Sequence, residues 1–267
     1  MHPRRRTETG FTLIEAVMVI AITGVVIAMV AVFIVPAVTA YFAAGTRARL
    51  GDEADTALRR MARDLAAALP NSVRIAGNSV ELIPVSGAAR YAVGTEGGDP
   101  LSFGTADTSF AIVGPALRLA SAGQRLAWHN LGNGVPDADA YTLANVRVAS
   151  NAAGNASSVT ISGAALPNSL QAPPYRVYAI EQPVTYRCDT TAGTLTRYTG
   201  YGFVSKQPDP PSAGSAAVLA RHVTGCSFSY DQPAITARFG LVTLGIQLGA
   251  NDETVTLHHS VHVDNLP

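Results

Sequence analysis

The strongest candidate for a functional side chain in this sequence is a carboxylate near the N-terminus, at the start of a long apolar stretch. Glu15 follows Gly10 by five positions, and no charged side chain occurs from Ala16 to Thr46. An unpaired carboxylate that enters a bilayer costs about 3 kcal/mol, so its placement here requires a reason. One reason is local, because Thr12 and Glu15 have the S/T-x-x-E spacing of a capping box, which satisfies backbone N–H groups at a helix start.

Two interpretations of this end give Glu15 no further role. The apolar stretch is long enough, at about 1.5 Å per residue, to span roughly 30 Å of hydrocarbon. It could therefore be an uncleaved membrane anchor preceded by the basic residues Arg4–Arg6. It could also be a Sec signal peptide cut after Ala40, because Val38–Ala40 supplies small residues before such a cut, although the apolar region of a signal peptide is usually about 7–15 residues.

A third interpretation rests on a resemblance. The segment Gly10–Glu15 (GFTLIE), with its short basic leader and the apolar helix that follows, is similar to the signature of type IV prepilins. The resemblance implies that a prepilin peptidase cuts between Gly10 and Phe11 and that Phe11 is then N-methylated. It also implies that Glu15 attracts the N-terminal amine of a neighbouring subunit in a filament, since opposite charges attract strongly in a low dielectric. A glycine before the cut lets the backbone enter a protease cleft without a clash.

The charge distribution gives the expected topology. The leader carries three arginines and Glu8, a local balance of +2 within a chain of formal net charge +0. Basic residues before an apolar segment stay in the cytoplasm, so we expect a single-pass inner-membrane protein with a periplasmic C-terminal domain, found in the pilus after assembly. The neutral chain is a poor candidate for binding nucleic acid. The resemblance implies as partners the prepilin peptidase, major and minor pilins through helix packing, the inner-membrane assembly platform and membrane lipid.

The apolar pattern continues beyond the first stretch as a long amphipathic helix. We predict a long, kinked helix from about Thr12 to Leu69, with a kink or a local loosening expected at Pro36, because proline removes a helical hydrogen bond. Its second half carries apolar residues at spacings of three and four, which we term the docking stripe. The docking stripe consists of Leu50, Ala54, Leu58, Met61, Leu65 and Leu69. The predicted sections are the leader (1–10, removed), a transmembrane and assembly helix (11–46), an amphipathic docking helix (47–70) and a periplasmic β-rich domain (71–267).

From Ser72 onward, short β-rich runs alternate with turn residues, so the predicted class is α+β, with the long helix packed on an antiparallel β-rich domain. The predicted strands are Ser72–Ala76, Ser79–Val85, Ala116–Ala120, Arg125–Asn130, Ser158–Ser162, Tyr175–Glu181, Val184–Cys188, Leu195–Tyr198, Leu241–Leu248 and Thr254–Val263. The last two flank Gly249–Asp252 and form a predicted hairpin. Gly94–Asp99, Asn145–Ser157 and Gln207–Ser215 are predicted loops. A single β-rich domain is expected, with two subsheets as the alternative.

A search for catalytic or metal-binding patterns finds little. His258 and His262 share one face of the final strand but lie too far apart to form a metal site without a third ligand. G-x-S-x-G, H-E-x-x-H and P-loop motifs do not occur, so we expect no enzyme activity, no cofactor and no metal. Cys188 and Cys226 could pair in an oxidising periplasm or remain two buried thiols. The aromatic residues near them indicate sheet packing or, alternatively, an adhesive surface; they are Tyr186, Tyr198, Tyr201, Phe203, Phe228 and Tyr230.

The length of the chain favours a minor pilin or a pseudopilin over a major pilin. The sequence resembles the PilW and GspJ-like minor pilins, and among them the MSHA biogenesis proteins of mannose-sensitive haemagglutinin pili. The resemblance lies in the stretches Glu15–Ile20, Asp55–Leu65, Pro70–Arg74, Tyr186–Cys188, Cys226–Tyr230 and Val261–Asn265. It implies a subunit that initiates or caps a filament. A minor pseudopilin of a type II secretion system and, from another class, a membrane-anchored periplasmic hydrolase remain the alternatives.

Overall fold

Helix formation begins at the N-terminal end, where apolar residues follow one another without a break. The computed structural model describes residues 10–231 and 239–267, so the predicted leader lies outside the described residues except for Gly10. Helix α1 covers Leu13–Met29, a π-helical turn covers Val30–Ile34, and helix α2 covers Val35–Ala66. The chain divides into two compact units, Met1–Arg49 and Leu50–Pro267, each of which is described here by itself.

The π-helical turn lies directly before Pro36, where the sequence predicts a disturbance. Pro36 has no N–H to donate to the carbonyl of Val32, and its ring crowds that carbonyl. The N–H of Val35 instead bonds to the carbonyl of Val30, five residues back, which widens the turn. Beyond the proline, Thr39 Oγ1 donates to the carbonyl of Pro36 at 2.9 Å. The predicted local loosening of the helix is therefore confirmed.

The docking stripe is buried along its whole length, as its spacing predicts. From Leu50 to Leu65, α2 places the first five side chains of the stripe in one apolar core with residues of two sheets, including Val80, Leu195 and Leu244. The helix ends at Ala66, earlier than predicted, although Leu69 remains buried. The N–H of Leu69 bonds to the carbonyl of Ile83 at 2.7 Å, and the following proline disfavours a helical conformation at Leu69.

Sixteen strands follow in the described part of the chain, and all of their pairings are antiparallel. In chain order they are β1 (Arg74–Ala76), β2 (Ser79–Leu82), β3 (Val85–Tyr91), β4 (Ser109–Val113), β5 (Leu117–Leu119), β6 (Arg125–Trp128), β7 (Val146–Ala149), β8 (Gly154–Ala156), β9 (Ser158–Ser162), β10 (Arg176–Ile180), β11 (Val184–Asp189), β12 (Thr194–Thr199), β13 (Ser215–Arg221), β14 (Val223–Asp231), β15 (Phe239–Ala250) and β16 (Glu253–Asp264). The predicted α+β class is confirmed.

The strands form a five-stranded sheet, a three-stranded sheet, a closed six-stranded barrel and a two-stranded ribbon. The five-stranded sheet has the order β1-β2-β11-β12-β13, and the three-stranded sheet has the order β14-β15-β16. The barrel has the order β10-β3-β4-β9-β7-β6, and β5 pairs with β8. Because β2 pairs directly with β11, the chain leaves the sheet at Leu82, builds the barrel and returns at Val184. The barrel is thus an insertion into one sheet.

The barrel has its own apolar core. Phe110 and Trp128 are fully buried in it and meet edge to face, with ring centroids 5.9 Å apart. A further apolar cluster, which includes Leu69, Ile83 and Tyr178, joins the end of the helix and the sheet to the barrel wall. The prediction of a β-rich domain does not include a closed barrel, and neither does its alternative of two subsheets, so the barrel is a feature that the sequence patterns did not indicate.

Local patterns located most strands but missed several. All ten predicted strands correspond to observed ones, and β9 has the predicted bounds. The hairpin of β15 and β16 is confirmed with longer strands and a two-residue turn at Asn251-Asp252, where φ is 52° and 62°. The prediction of a loop over Asn145–Ser157 is wrong, because β7 and β8 lie within it and complete the barrel and the ribbon. The strands β3, β4, β13 and β14 were also not predicted.

A disulfide connects the two open sheets. Cys188 on β11 is bonded to Cys226 on β14, with Cα atoms 6.4 Å apart. The predicted pair is confirmed, and the alternative of two unpaired thiols is wrong. Because the bond closes a loop across 38 positions of sequence, the chain-entropy relation gives it about 4 kcal/mol of stabilisation. The three-stranded sheet is therefore held to the five-stranded sheet covalently as well as through the shared core.

Candidate functional site

The N-terminal segment of the first unit presents an accessible peptide followed by a capped helix. Gly10 and Phe11 precede the helix and are exposed, with no helical or strand structure of their own. Thr12 is the N-cap in an extended conformation, and its Oγ1 accepts a hydrogen bond from the N–H of Glu15 at 3.3 Å. The N–H of Ala16 bonds to the carbonyl of Thr12 at 3.2 Å. The helix therefore starts at a capped position that directly follows two exposed residues.

The carboxylate of Glu15 remains available for an outside partner. The capping bond uses only the backbone of Glu15, and within the described residues its side chain makes no hydrogen bond or ion pair. It lies in the first helical turn, where the partial positive charge of the helix N-terminus stabilises an anion. Thr12 and Glu15 therefore have separate roles, since the threonine caps the helix and the glutamate presents a charge.

The surface of the helix behind Glu15 is apolar on every side. The described chain holds one helix, Leu13–Ala66, with a window long and apolar enough to cross a membrane, and none of that window is buried. Within α1 no residue is buried, and large side chains such as Leu13, Ile20 and Ile27 are mostly exposed. Such a surface requires either lipid or other apolar helices around it.

In the second unit, a polar clamp fixes α2 on the five-stranded sheet. Asp64 Oδ2 accepts hydrogen bonds from the hydroxyl of Tyr186 at 2.6 Å and from Nε of Arg197 at 3.0 Å. Burial, together with the hydrogen bond to Asp64, raises the pKa of Tyr186, so its hydroxyl stays protonated and donates. Nearer the start of this unit, Glu53 Oε1 accepts from the N–H of Arg221 at 2.6 Å. These bonds set the register of the helix over the apolar core.

A buried ion pair that the sequence reasoning missed lies at the junction of sheet and barrel. Glu81 is fully buried and accepts a hydrogen bond from Nε of Arg74 at 2.6 Å and from the hydroxyl of Tyr201 at 2.7 Å. Arg74 also donates to the carbonyls of Val204 and Ser205, at 2.9 and 2.6 Å. Burial raises the pKa of Glu81, while the hydrogen bond and the charge of Arg74 act in the opposite direction.

The signal for this pair was present in the sequence. Gly77 and Asn78 form a turn between two short strands, and this hairpin places Arg74 directly opposite Glu81. Opposite charges at facing positions of a hairpin attract one another. The local pattern does not indicate the burial of this pair, because Arg74 is covered by Asn133, in the loop between β6 and β7, and by the segment around Ser205, both distant in sequence.

Three of the aromatic residues and the predicted loop Gln207–Ser215 make packing and hydrogen-bond contacts within the β-rich unit. Tyr186 is buried in the same core as Cys188, and Phe228 and Tyr230 pack against that core, as the sheet-packing interpretation predicts. The predicted loop Gln207–Ser215 is held to the sheet. Asp209 Oδ1 accepts a hydrogen bond from Ser79 at 3.0 Å and from Arg187 at 2.8 Å, and Ser215 begins β13.

His258 and His262 do not form a pair. They occupy the exposed face of β16, opposite Gly245 and Leu241 of β15, with Ser260 between them. Among residues 10–231 and 239–267, no group of three or more His, Cys, Asp and Glu side chains is placed to hold a metal ion.

Comparison with known proteins agrees with the N-terminal geometry. The family model described as a prokaryotic N-terminal methylation motif matches residues 5–31, which include Gly10, Phe11, Thr12 and Glu15. The match supports a type IV pilin-like family for this chain. Neither curated proteins nor solved structures gave a match. The likeness to known proteins therefore lies in the segment that carries the capped helix start.

Proposed function

We propose that this chain is a minor pilin that takes part in the assembly of a type IV pilus. It is made as a prepilin, cut by a prepilin peptidase between Gly10 and Phe11 and N-methylated at Phe11. The observation that supports this most is the coincidence of two features in one segment. The methylation-motif match covers residues 5–31, and within it Gly10 and Phe11 are exposed directly before a helix capped by Thr12.

The physical role of the subunit is assembly rather than catalysis. In the inner membrane, with the N-terminus cytoplasmic and the β-rich domain periplasmic, lipid surrounds the apolar surface of α1. In the filament, the helices of major and minor pilins surround it, so extraction by the assembly platform exchanges one apolar environment for another. Glu15 favours one position of the incoming subunit in the filament, because its free carboxylate attracts the amine of Phe11 on a neighbouring subunit.

Within this class, the resemblance to the PilW and GspJ-like minor pilins, and to the MSHA biogenesis protein MshO, favours a low-copy subunit that initiates or caps the filament. The docking stripe supports a pilin-like subunit, because it packs the part of α2 from Leu50 onward on the sheets of the β-rich unit. A minor pseudopilin of a type II secretion system would use the same physics. Neighbouring genes distinguish the two, since pilus components and secretion components are encoded by different sets.

Removal of the charge at Glu15 tests the assembly role. The substitution Glu15→Gln keeps the shape and the backbone cap but abolishes the attraction for the incoming amine. We expect leader removal to proceed normally and the number of pili per cell to fall severalfold, counted by electron microscopy in cells that lack the wild-type gene.

A matched control is Glu96→Gln, which neutralises an exposed glutamate far along the chain and should leave the number of pili unchanged. A normal pilus count with Glu15→Gln, or an equal loss with both variants, would contradict the proposed role of Glu15.

A further inference from the structure

Two adjacent aromatic side chains stand exposed near the end of the charge-free stretch. Tyr41 is 77% exposed and Phe42 is 66% exposed, and their rings meet edge to face with centroids 5.9 Å apart. Successive residues on a helix point about 100° apart, so the two rings cover two sides of α2. Two adjacent large aromatic side chains that their own unit leaves uncovered form an exposed apolar patch, which marks a contact with a partner or a membrane.

The distances along the helix match the layers of a bilayer. Pro36 lies 21 residues beyond Glu15, about 32 Å along a helix, and the hydrocarbon core of a bilayer is about 30 Å thick. With Glu15 at the edge of the hydrocarbon, the opposite headgroup layer lies roughly 30–37 Å away, since the headgroups add about 5–7 Å on each side. Tyr41 lies 26 residues beyond Glu15, about 39 Å along the helix and about 37 Å along the membrane normal at the average tilt of about 20°, so it reaches that layer. Arg47, the next charged residue, lies about 48 Å away and clears the headgroups.

We infer that Tyr41 and Phe42 anchor the helix in the lipid headgroup region at the membrane face opposite Glu15. This inference rests on the proposed function, because it describes the subunit while it is held in the membrane. Aromatic side chains with a polar tip prefer the membrane–water interface, where the hydroxyl of Tyr41 meets water and the rings meet the ends of the acyl chains. Phe33, also exposed, lies only about 27 Å from Glu15 and stays within the hydrocarbon.

The anchor gives the helix a defined depth. Glu15 marks one interface and the aromatic pair marks the other, so the helix has little freedom to slide along the membrane normal. Sliding outward would draw the carboxylate of Glu15 into hydrocarbon. Sliding inward would bury the hydroxyl of Tyr41, so each end opposes one direction of movement.

Cysteine labelling of the full-length protein tests this inference. The only two cysteines of the chain are joined in a disulfide, so an introduced cysteine is the single free thiol. Reporters at Val32→Cys, Val38→Cys and Gly45→Cys are labelled with a membrane-impermeant maleimide in spheroplasts that lack the assembly platform. We expect fast labelling at Gly45→Cys, slow labelling at Val38→Cys and none at Val32→Cys. The double substitution Tyr41→Ala with Phe42→Ala should raise the labelling rate at Val38→Cys severalfold.

Phe33→Ala is the matched control, since it removes an exposed aromatic ring from the hydrocarbon and should leave the rate at Val38→Cys unchanged. The anchor would be overturned if Gly45→Cys were labelled as slowly as Val32→Cys. It would also be overturned if the labelling rate at Val38→Cys stayed the same after loss of both aromatic rings. Leader removal is followed in the same samples. A subunit that is cut after Gly10 but fails the labelling test refutes the anchor alone, whereas an uncut subunit refutes the proposed function.

Discussion

Substitution of Gly10 by leucine is expected to abolish removal of the leader. A peptidase cleft that accepts an extended backbone at the cut leaves no room for a branched side chain in place of the glycine hydrogen. The folded chain itself does not require this glycine, because a Cβ atom built on Gly10 meets nothing within 4 Å. A loss of cleavage in Gly10→Leu therefore reports on recognition by the peptidase and not on folding.

An immunoblot of membranes from a host that contains prepilin peptidase measures this effect, since the uncut chain migrates more slowly. Gly24→Leu is the matched control, because a side chain at Gly24 also meets no neighbouring atom and Gly24 lies within α1, 14 residues after Gly10. We expect full cleavage of the control and none of Gly10→Leu. Normal cleavage of Gly10→Leu would show that the peptidase does not recognise Gly10 as the residue before the cut.

Replacement of Arg74 by leucine is expected to produce the largest loss of stability in the β-rich unit. Glu81 would remain fully buried without a compensating charge, and breaking a buried ion pair in this way costs about 3–5 kcal/mol. The loss should be visible as a lower urea midpoint when the unfolding of the full chain in detergent micelles is followed by circular dichroism.

The loss should also depend on pH. Burial raises the pKa of Glu81 in the folded protein, so across the window from the unfolded to the folded pKa the folded state binds more protons than the unfolded state. Stability therefore falls as the pH rises through that window. Without Arg74 the pKa of Glu81 rises further and the window widens, so the loss in Arg74→Leu should be larger at about pH 7.5 than at about pH 5.

A second variant separates the buried charge from the other contacts of Arg74. Arg74→Leu with Glu81→Leu removes both charges, and replacement of a whole buried ion pair by apolar residues is often neutral. We expect the double variant to be more stable than Arg74→Leu alone. If both variants are equally unstable at both pH values, the stability would come from the bonds of Arg74 to Val204 and Ser205 and not from its charge.

Sequence patterns located the parts of the fold that depend on near neighbours. The spacing of Thr12 and Glu15 identifies the helix start, and the repeat from Leu50 to Leu69 identifies the buried face, because these signals lie within one or two helical turns. The final hairpin was found for the same reason, since its strands are long, alternate clearly and are joined by a short turn. The strand β14 carries such an alternation in Cys226, Phe228 and Tyr230, and could have been found.

The barrel and the burial of the Arg74–Glu81 ion pair could not be located in this way. Closure of the barrel requires β10 to pair with both β3 and β6, which lie far from it in sequence, and no local pattern specifies those partners. The segment Asn145–Ser157 has the composition of a loop, yet β7 and β8 lie within it because other strands supply their hydrogen bonds. Tertiary pairing thus overrides a weak local preference.

The candidate site was predictable where its chemistry is local. Gly10, Phe11, Thr12 and Glu15 lie within six residues, so a single motif contains them. The role of Tyr41 and Phe42 depends on a helix that continues through Pro36, because only then does the number of residues after Glu15 give their distance from it along the helix.

The intact mass of the protein extracted from membranes shows whether the chain is processed as a prepilin. In a host with prepilin peptidase, we expect a chain that begins at Phe11, lacks the residues from Met1 to Gly10 and carries one added methyl group at its N-terminus. A mass that retains the first ten residues would contradict this processing and favour an uncleaved anchor. A mass that corresponds to a cut after Ala40 would contradict it as well and favour a secretory signal.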